Sequence, residues 1–103
     1  MEPLVSVCIP AYNNEGTIEE TVRSVLAQTY NNLELVVVDD CSTDRTAALA
    51  EAFTDARVRV VRNEKNLGMA GNWNKCIEEA RGEFVKLLCA DDILYPDSIK
   101  EEA

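Results

Sequence analysis

Two kinds of segment alternate along the chain. Residues 5–9, 33–38, 58–61 and 84–89 are short and rich in β-branched or large apolar side chains, as expected of strands covered on both faces. Between them apolar residues recur at helical spacing. Ile18, Val22, Val25 and Leu26 make one face, and Thr17-Ile18-Glu19-Glu20 before it has the form of a capping box. A second helix is expected after Asp44, with Leu49, Ala52 and Phe53 inward. The spacing predicts a third over about 70–81, with Ala70, Trp73, Ile77 and Ala80 on the inner side and Gly82 suited to the C-terminal stop.

Strands separated by single helices imply right-handed crossovers, hence a parallel sheet with helices on both faces. Crossovers from strand one to two to three build outward, and the next connection returns past strand one. The expected fold is therefore α/β, a three-layer sandwich around an open parallel sheet of strand order 3-2-1-4. In such sheets ligands sit beyond the carboxyl ends of the strands, where the order reverses. Residues 95–103 read as the opening of a further helix, with Pro96 in its first turn and acids nearby. That helix stops short, so the chain reads as part of a longer protein.

Composition narrows the picture. At 103 residues and 47% apolar content, one core is expected and no internal boundary is drawn, so residues 1–103 form a single domain. No apolar run approaches the ~20 residues of a spanning helix, and Met1-Glu2-Pro3 does not open a secretory signal. A cytoplasmic protein with no membrane segment in this chain is expected. Cys8, Cys41, Cys76 and Cys89 include no C-x-x-C pair, and histidine is absent; buried thiols are expected rather than a zinc site or disulfides. The net charge of −9 and the scattered Lys and Arg residues argue against nucleic acid. The same charge means that a phosphate ligand would need a metal ion or oriented backbone amides.

The candidate chemistry lies at strand ends. The first strand runs into Pro10-Ala11-Tyr12-Asn13-Asn14-Glu15-Gly16, a polar loop with a ring able to stack on a flat base. The second ends in Asp39-Asp40-Cys41-Ser42-Thr43-Asp44, where an ionised carboxylate could accept from a ring N–H, although part of this segment could equally cap the next helix. The fourth ends in Cys89-Ala90-Asp91-Asp92, a second acid pair at the same sheet edge. Hard cations such as magnesium and manganese take such oxygen ligands together with substrate phosphates. In Asn66-Leu67-Gly68-Met69-Ala70-Gly71 the two glycines could let backbone amides approach a phosphate, but the spacing matches no dinucleotide or P-loop fingerprint.

Taken in order, VSVCIPAYNNE, LELVVVDDCSTD, NEKNLGMAGNWN, ARGEFVKLLCADD and YPD resemble the nucleotide-sugar-binding part of family 2 glycosyltransferases, which have the GT-A fold. The resemblance runs from Val5 to about Ile99. It implies a nucleotide-diphosphate sugar donor, a divalent metal (Mn²⁺ or Mg²⁺), and a saccharide or lipid-linked acceptor in the full-length parent. It also implies that Pro10, Ala11, Tyr12 and Glu15 line the nucleoside pocket, that Asp40 reads the base, and that Asp39 shapes its surroundings. Asn66 and Gly68 would stand beside the donor, Asp91 near the ribose and Asp92 on the metal. Cys89 stands where many members have a further aspartate, so metal coordination would rest chiefly on Asp92. Trp73 stands where arginine is common. The catalytic base would come from the acceptor-binding half beyond this chain, so the isolated chain is expected to be inactive, and the alternative reading is a nucleotide-binding module without transferase activity. A flavodoxin-like phospho-acceptor domain fits less well, because it would need an aspartate after the third strand, where Arg62-Asn63 stand.

Overall fold

The computed structural model describes residues 3–94. The helix expected over 95–103 lies outside the described residues. The elements are β1 (Val5–Ala11), α1 (Ile18–Leu26), β2 (Leu33–Asp39), α2 (Thr46–Glu51), β3 (Val58–Arg62), α3 (Gly68–Glu79) and β4 (Phe84–Leu87). The four strands form one parallel sheet of order β3-β2-β1-β4, the order expected from crossover handedness.

Alternation along β1 and β2 divides the core between two layers. Val7, Ile9, Leu35 and Val37 face α1 and α2, packing with Ile18, Val22, Val25 and Ala50. Cys8, Val36 and Val38 face the other way, onto Cys76 of α3 and Ala80 just after it. Both central strands are thus covered on both sides, which is why they read as unbroken apolar runs rather than alternating ones.

Several local expectations are corrected. The capping box does not form: the Thr17 side chain makes no cap bond, and its hydroxyl donates instead to the Ala90 carbonyl oxygen at 2.9 Å, beyond β4. Helix α2 turns Ala47 and Ala50 inward, while Ala52 falls at its exposed end. Helix α3 buries Asn72 and Cys76 rather than Trp73 and Ile77, which are 37% and 54% exposed. One residue is about 100° of helical rotation, and the rotation has a polar cause. Asn72 Nδ2 donates to the Val38 carbonyl at the end of β2, at 3.1 Å, and this holds the 72/76 side of the helix against the sheet. Gly82 is not the helix stop, since α3 ends earlier, at Glu79, with an extended Ala80. Its role is close approach: a Cβ there would lie 2.7 Å from the Leu4 carbonyl oxygen and 2.7 Å from Ser6 Oγ. Finally, the four cysteines are free thiols, but only Cys8 and Cys76 are buried; Cys41 and Cys89 are exposed, on the loops that leave β2 and β4.

Candidate ligand cleft at the strand ends

The carboxyl ends of β1, β2 and β4 open into a cleft of about 560 Å³, at the point where the strand order reverses. Pro10, Ala11 and Tyr12 line it from β1, Asp40 from β2, and Asn66 and Gly68 from the β3–α3 loop. Asp91 closes the side beyond β4. Of the residues singled out in the sequence, Glu15, Asp39 and Asp92 lie outside this lining. The sequence reading did not assign Asn14, Met69, Asn72, Trp73, Cys89 and Ala90 to the cleft, yet they line it too.

The two loops beneath the cleft are stitched together. Asn13 N–H donates to Ser42 Oγ at 2.9 Å, and Asn13 Oδ1 accepts from Thr43 N–H at 2.9 Å. Asn14 N–H reaches Thr46 Oγ1 at 2.8 Å and Glu15 N–H reaches Asp44 Oδ2 at 3.2 Å. Glu15 returns the contact by accepting from Arg45, so it sits at the rim as a brace between loops. Asp39 is buried and turned away from the cleft, accepting from Ser42 N–H at 3.0 Å and from the Ser42 hydroxyl. These bonds hold Asn13 and Cys41 in left-handed backbone, at φ 51° and 61°; for Cys41 that conformation costs roughly 1 kcal/mol.

Asp40 is buried, and its carboxylate ties down the β3–α3 loop. Oδ1 accepts from Leu67 N–H at 2.7 Å and from Asn63 Nδ2 at 2.9 Å, while Oδ2 accepts from Gly68 N–H at 3.1 Å. The Asp40 carbonyl accepts from Asn66 Nδ2 at 3.2 Å. Gly68 makes the turn by adopting φ 78°, a conformation natural to glycine. Its amide is already shared between Asp40 and Asn66 Oδ1, so it is not presented to a phosphate as the two-glycine spacing allowed.

The acidic turn beyond β4 is held differently. The Ala90 carbonyl accepts from the hydroxyls of Thr17 and Thr21, and the Asp92 carbonyl accepts from Thr21 at 2.6 Å. Leu94 N–H donates to Ser24 Oγ at 3.0 Å. The backbone is thereby pinned to α1, while the Asp91 and Asp92 side chains are exposed, and Asp92 Oδ1 accepts from its neighbour Ile93 N–H at 2.9 Å. Thr21 is buried on the apolar face of α1, and a hydroxyl there was the one sequence signal for this anchor. Among the described residues no group of three His, Cys, Asp or Glu side chains could enclose a metal ion. Among the described residues the cleft lining carries two carboxylates and neither Lys nor Arg. A cation bound here would therefore be completed by phosphate oxygens, the usual arrangement for Mg²⁺.

Residues 6–102 match the family model described as Glycosyl transferase family 2. The Escherichia coli UDP-Glc:alpha-D-GlcNAc-diphosphoundecaprenol beta-1,3-glucosyltransferase WfgD is 44% identical over 97 residues, covering 94% of this chain and 38% of the relative. Among solved structures, S. aureus TarS 1-349 in complex with UDP-GlcNAc superposes with a TM-score of 0.89 at 34% identity, covering 95% of this chain and 29% of that one. The mannosyltransferase PcManGT from Pyrobaculum calidifontis, in complex with GDP-Man and Mn2+, gives 0.81 at 34% identity, covering 90% and 29%. The chain spans less than half the length of each of these proteins. No helix among the described residues is long and apolar enough to cross a membrane.

Proposed function

Because the chain belongs to glycosyl transferase family 2, we propose that its cleft binds a nucleotide-diphosphate sugar together with a divalent cation, as the donor side of a sugar transfer to a saccharide or lipid-linked acceptor. The observation that carries this reading is the lining itself. An exposed aromatic ring, Tyr12, a fixed carboxylate, Asp40, and an open acid, Asp91, line one crevice at the strand ends.

Each residue has a task that its chemistry suits. Tyr12 stacks on the base, with Pro10 and Ala11 as the wall behind it. Two of the acceptor positions of Asp40, both on Oδ1, are filled by Asn63 and Leu67, and one on Oδ2 is filled by Gly68. A carboxylate oxygen accepts about two hydrogen bonds, so one position on Oδ2 remains for a ring N–H. Glu15 braces the rim, Asp39 braces the loop behind the pocket, and Asn66 and Gly68 shape the loop beside the donor. Asp91 lies toward the ribose, and Asp92 would hold Mn²⁺ or Mg²⁺ jointly with the diphosphate. A cation bound there supplies charge stabilisation for the departing diphosphate. Without it the two negative partners repel, since no basic side chain among the described residues lines the cleft.

Calorimetry of the 103-residue chain with UDP and with GDP, each with and without Mn²⁺, tests the reading. Binding of at least one nucleotide that strengthens with the metal is expected, with no transfer to an acceptor, because the base that deprotonates the acceptor hydroxyl is expected outside this chain. Binding indifferent to the metal, or absent for both nucleotides, would overturn the assignment. Sustained donor-to-acceptor turnover would overturn the division of labour.

A further inference from the structure

Beside Asp40 runs a chain of side-chain amides whose polarity is forced from one end, and its Asn72 member also lines the cleft. Asn72, buried on the inner face of α3, donates from Nδ2 to the Val38 carbonyl at 3.1 Å. A carbonyl only accepts, so the other end of that amide, Oδ1, must face away as an acceptor. It accepts from Asn63 Nδ2 at 2.8 Å, and the same Nδ2 donates its second hydrogen to Asp40 Oδ1 at 2.9 Å. Turning either amide over would set oxygen against oxygen. The arrangement leaves Asn63 Oδ1 buried with no hydrogen-bond partner among the described residues, an uncommon condition for a buried polar atom. Asn63 is thus held by its nitrogen alone, facing Asp40.

We propose that Asn72 and Asn63 are positioning residues. They orient the Asp40 carboxylate so that Oδ1 is saturated from behind and the remaining acceptor on Oδ2 is offered to the cleft. The inference rests on the reading of the cleft as a nucleotide site and adds to it the source of base selectivity. A carboxylate free to rotate would present either oxygen and discriminate poorly; one locked by the Asn63 amide, itself held by Asn72, and by two loop N–H groups presents a single acceptor in one place. The lock also explains why α3 turns Asn72 rather than Trp73 to the sheet. The polarity of the whole chain begins at the Val38 carbonyl, which Asn72 reaches at 3.1 Å.

The test uses Asn72→Leu in the 103-residue chain, which keeps shape and burial but removes both the donor and the acceptor. One readout needs no ligand: amide hydrogen exchange at Leu67 and Gly68, whose N–H groups donate to Asp40. Exchange about tenfold faster at these two, with α1 and β1 amides unchanged, is expected for the loss of one positioning bond. The second readout is affinity in the presence of Mn²⁺. UDP or GDP, whichever the wild-type chain binds, should bind about tenfold more weakly, while inorganic pyrophosphate should bind as before. Unchanged exchange at Leu67 and Gly68, acceleration of all amides alike, or equal losses for nucleotide and pyrophosphate would each overturn the proposal. If Asn72→Leu does not fold, Asn63→Ala at a half-buried position gives the same two readouts. The exchange arm decides the relay by itself, so a wild-type chain that bound neither nucleotide would overturn the reading of the cleft and not the relay.

Discussion

The two acid pairs at the sheet edge are built in opposite ways. At the end of β2 the side chains are the anchored part: both Asp39 and Asp40 are buried, and every contact they make organises a loop. At the end of β4 the backbone is the anchored part, held by Thr17, Thr21 and Ser24 of α1, and the carboxylates stand in solvent. A buried acceptor surrounded by fixed donors is preorganised to recognise shape and hydrogen-bond pattern. An exposed carboxylate on a firm backbone is suited to a partner that arrives with its own charge and water, as a hydrated cation does. On the proposed function, the difference would give recognition to the β2 side and charge compensation to the β4 side.

The largest effect should come from exchanging the chemistry of the anchored side. Asp40→Asn sets an NH₂ among three donors, so at least one of the Leu67, Gly68 and Asn63 groups is left facing another donor. A loss of about 2 kcal/mol is expected, read as a lower urea midpoint, together with loss of nucleotide binding. Sequence reasoning alone would place the effect on base recognition; the bonds to the β3–α3 loop add a stability cost. A variant as stable as the wild type would show that Asp40 does not hold the loop.

Asp92→Asn makes the opposite test. Its side chain is exposed, and its one bond among the described residues, to Ile93 N–H, can survive on an amide oxygen. Stability within about 0.5 kcal/mol of wild type is expected, while the gain in nucleotide affinity from Mn²⁺ should fall about tenfold. If Asp92→Asn destabilised the fold as much as Asp40→Asn, the contrast between the two acid pairs would be lost. An undiminished metal effect would remove Asp92 from the metal site.

How much of this was written in the sequence depends on the range of the interaction. Strand order followed from apolar runs and crossover handedness, because both are carried by local pattern and chirality. The strand-end acids were visible for the same reason: once the strands are placed, the residues after them must emerge together. The face of α3 was misread, because Trp73 and Ile77 outweigh Asn72 in any apolar count, while the bond that turns the helix joins residues 34 apart in sequence. Likewise Thr17 looked like a cap because its neighbours fit a capping box, yet its partner, Ala90, lies 73 residues away. No periodicity encodes such pairs.

The anchor of the acidic turn can be tested without touching an acid. Thr21→Val keeps shape and burial on α1 but removes the hydroxyl shared by Ala90 and Asp92. The Ala90 carbonyl retains Thr17, whereas the Asp92 carbonyl loses its Thr21 donor. A cost of about 1 kcal/mol is expected, with a weaker metal contribution to nucleotide binding because Asp92 is no longer held in place. A variant that lost stability but kept the full metal effect would mean that the backbone anchor serves the fold alone.

The smallest effect concerns acid. Desolvation pushes the Asp44 carboxyl pKa upward, but the Thr46 hydroxyl, the Thr46 N–H and the Glu15 N–H together outweigh it, so Asp44 titrates below its ordinary value. Its folded pKa is therefore depressed relative to the unfolded chain, for which about 3.9 is usual. The sign follows from linkage: the unfolded state takes up the proton first as pH falls, so the stabilisation is fully present above about pH 4 to 5 and is lost on descent through the folded value. Asp55, held down to about 2 chiefly by the Arg57 side chain, has the same sign, with its loss between about pH 4 and 2. The two differ in position, since Asp44 joins the β1–α1 and β2–α2 loops beneath the cleft and Asp55 pairs locally with Arg57 before β3. Urea midpoints at pH 6, 4 and 3 should fall less steeply for Asp44→Asn and for Asp55→Asn than for wild type. Only Asp44→Asn should also change amide exchange at Glu15, whose N–H it binds. Equal acid slopes in wild type and Asp44→Asn, or an unchanged Glu15 amide, would show that the loops on the recognition side are joined without Asp44.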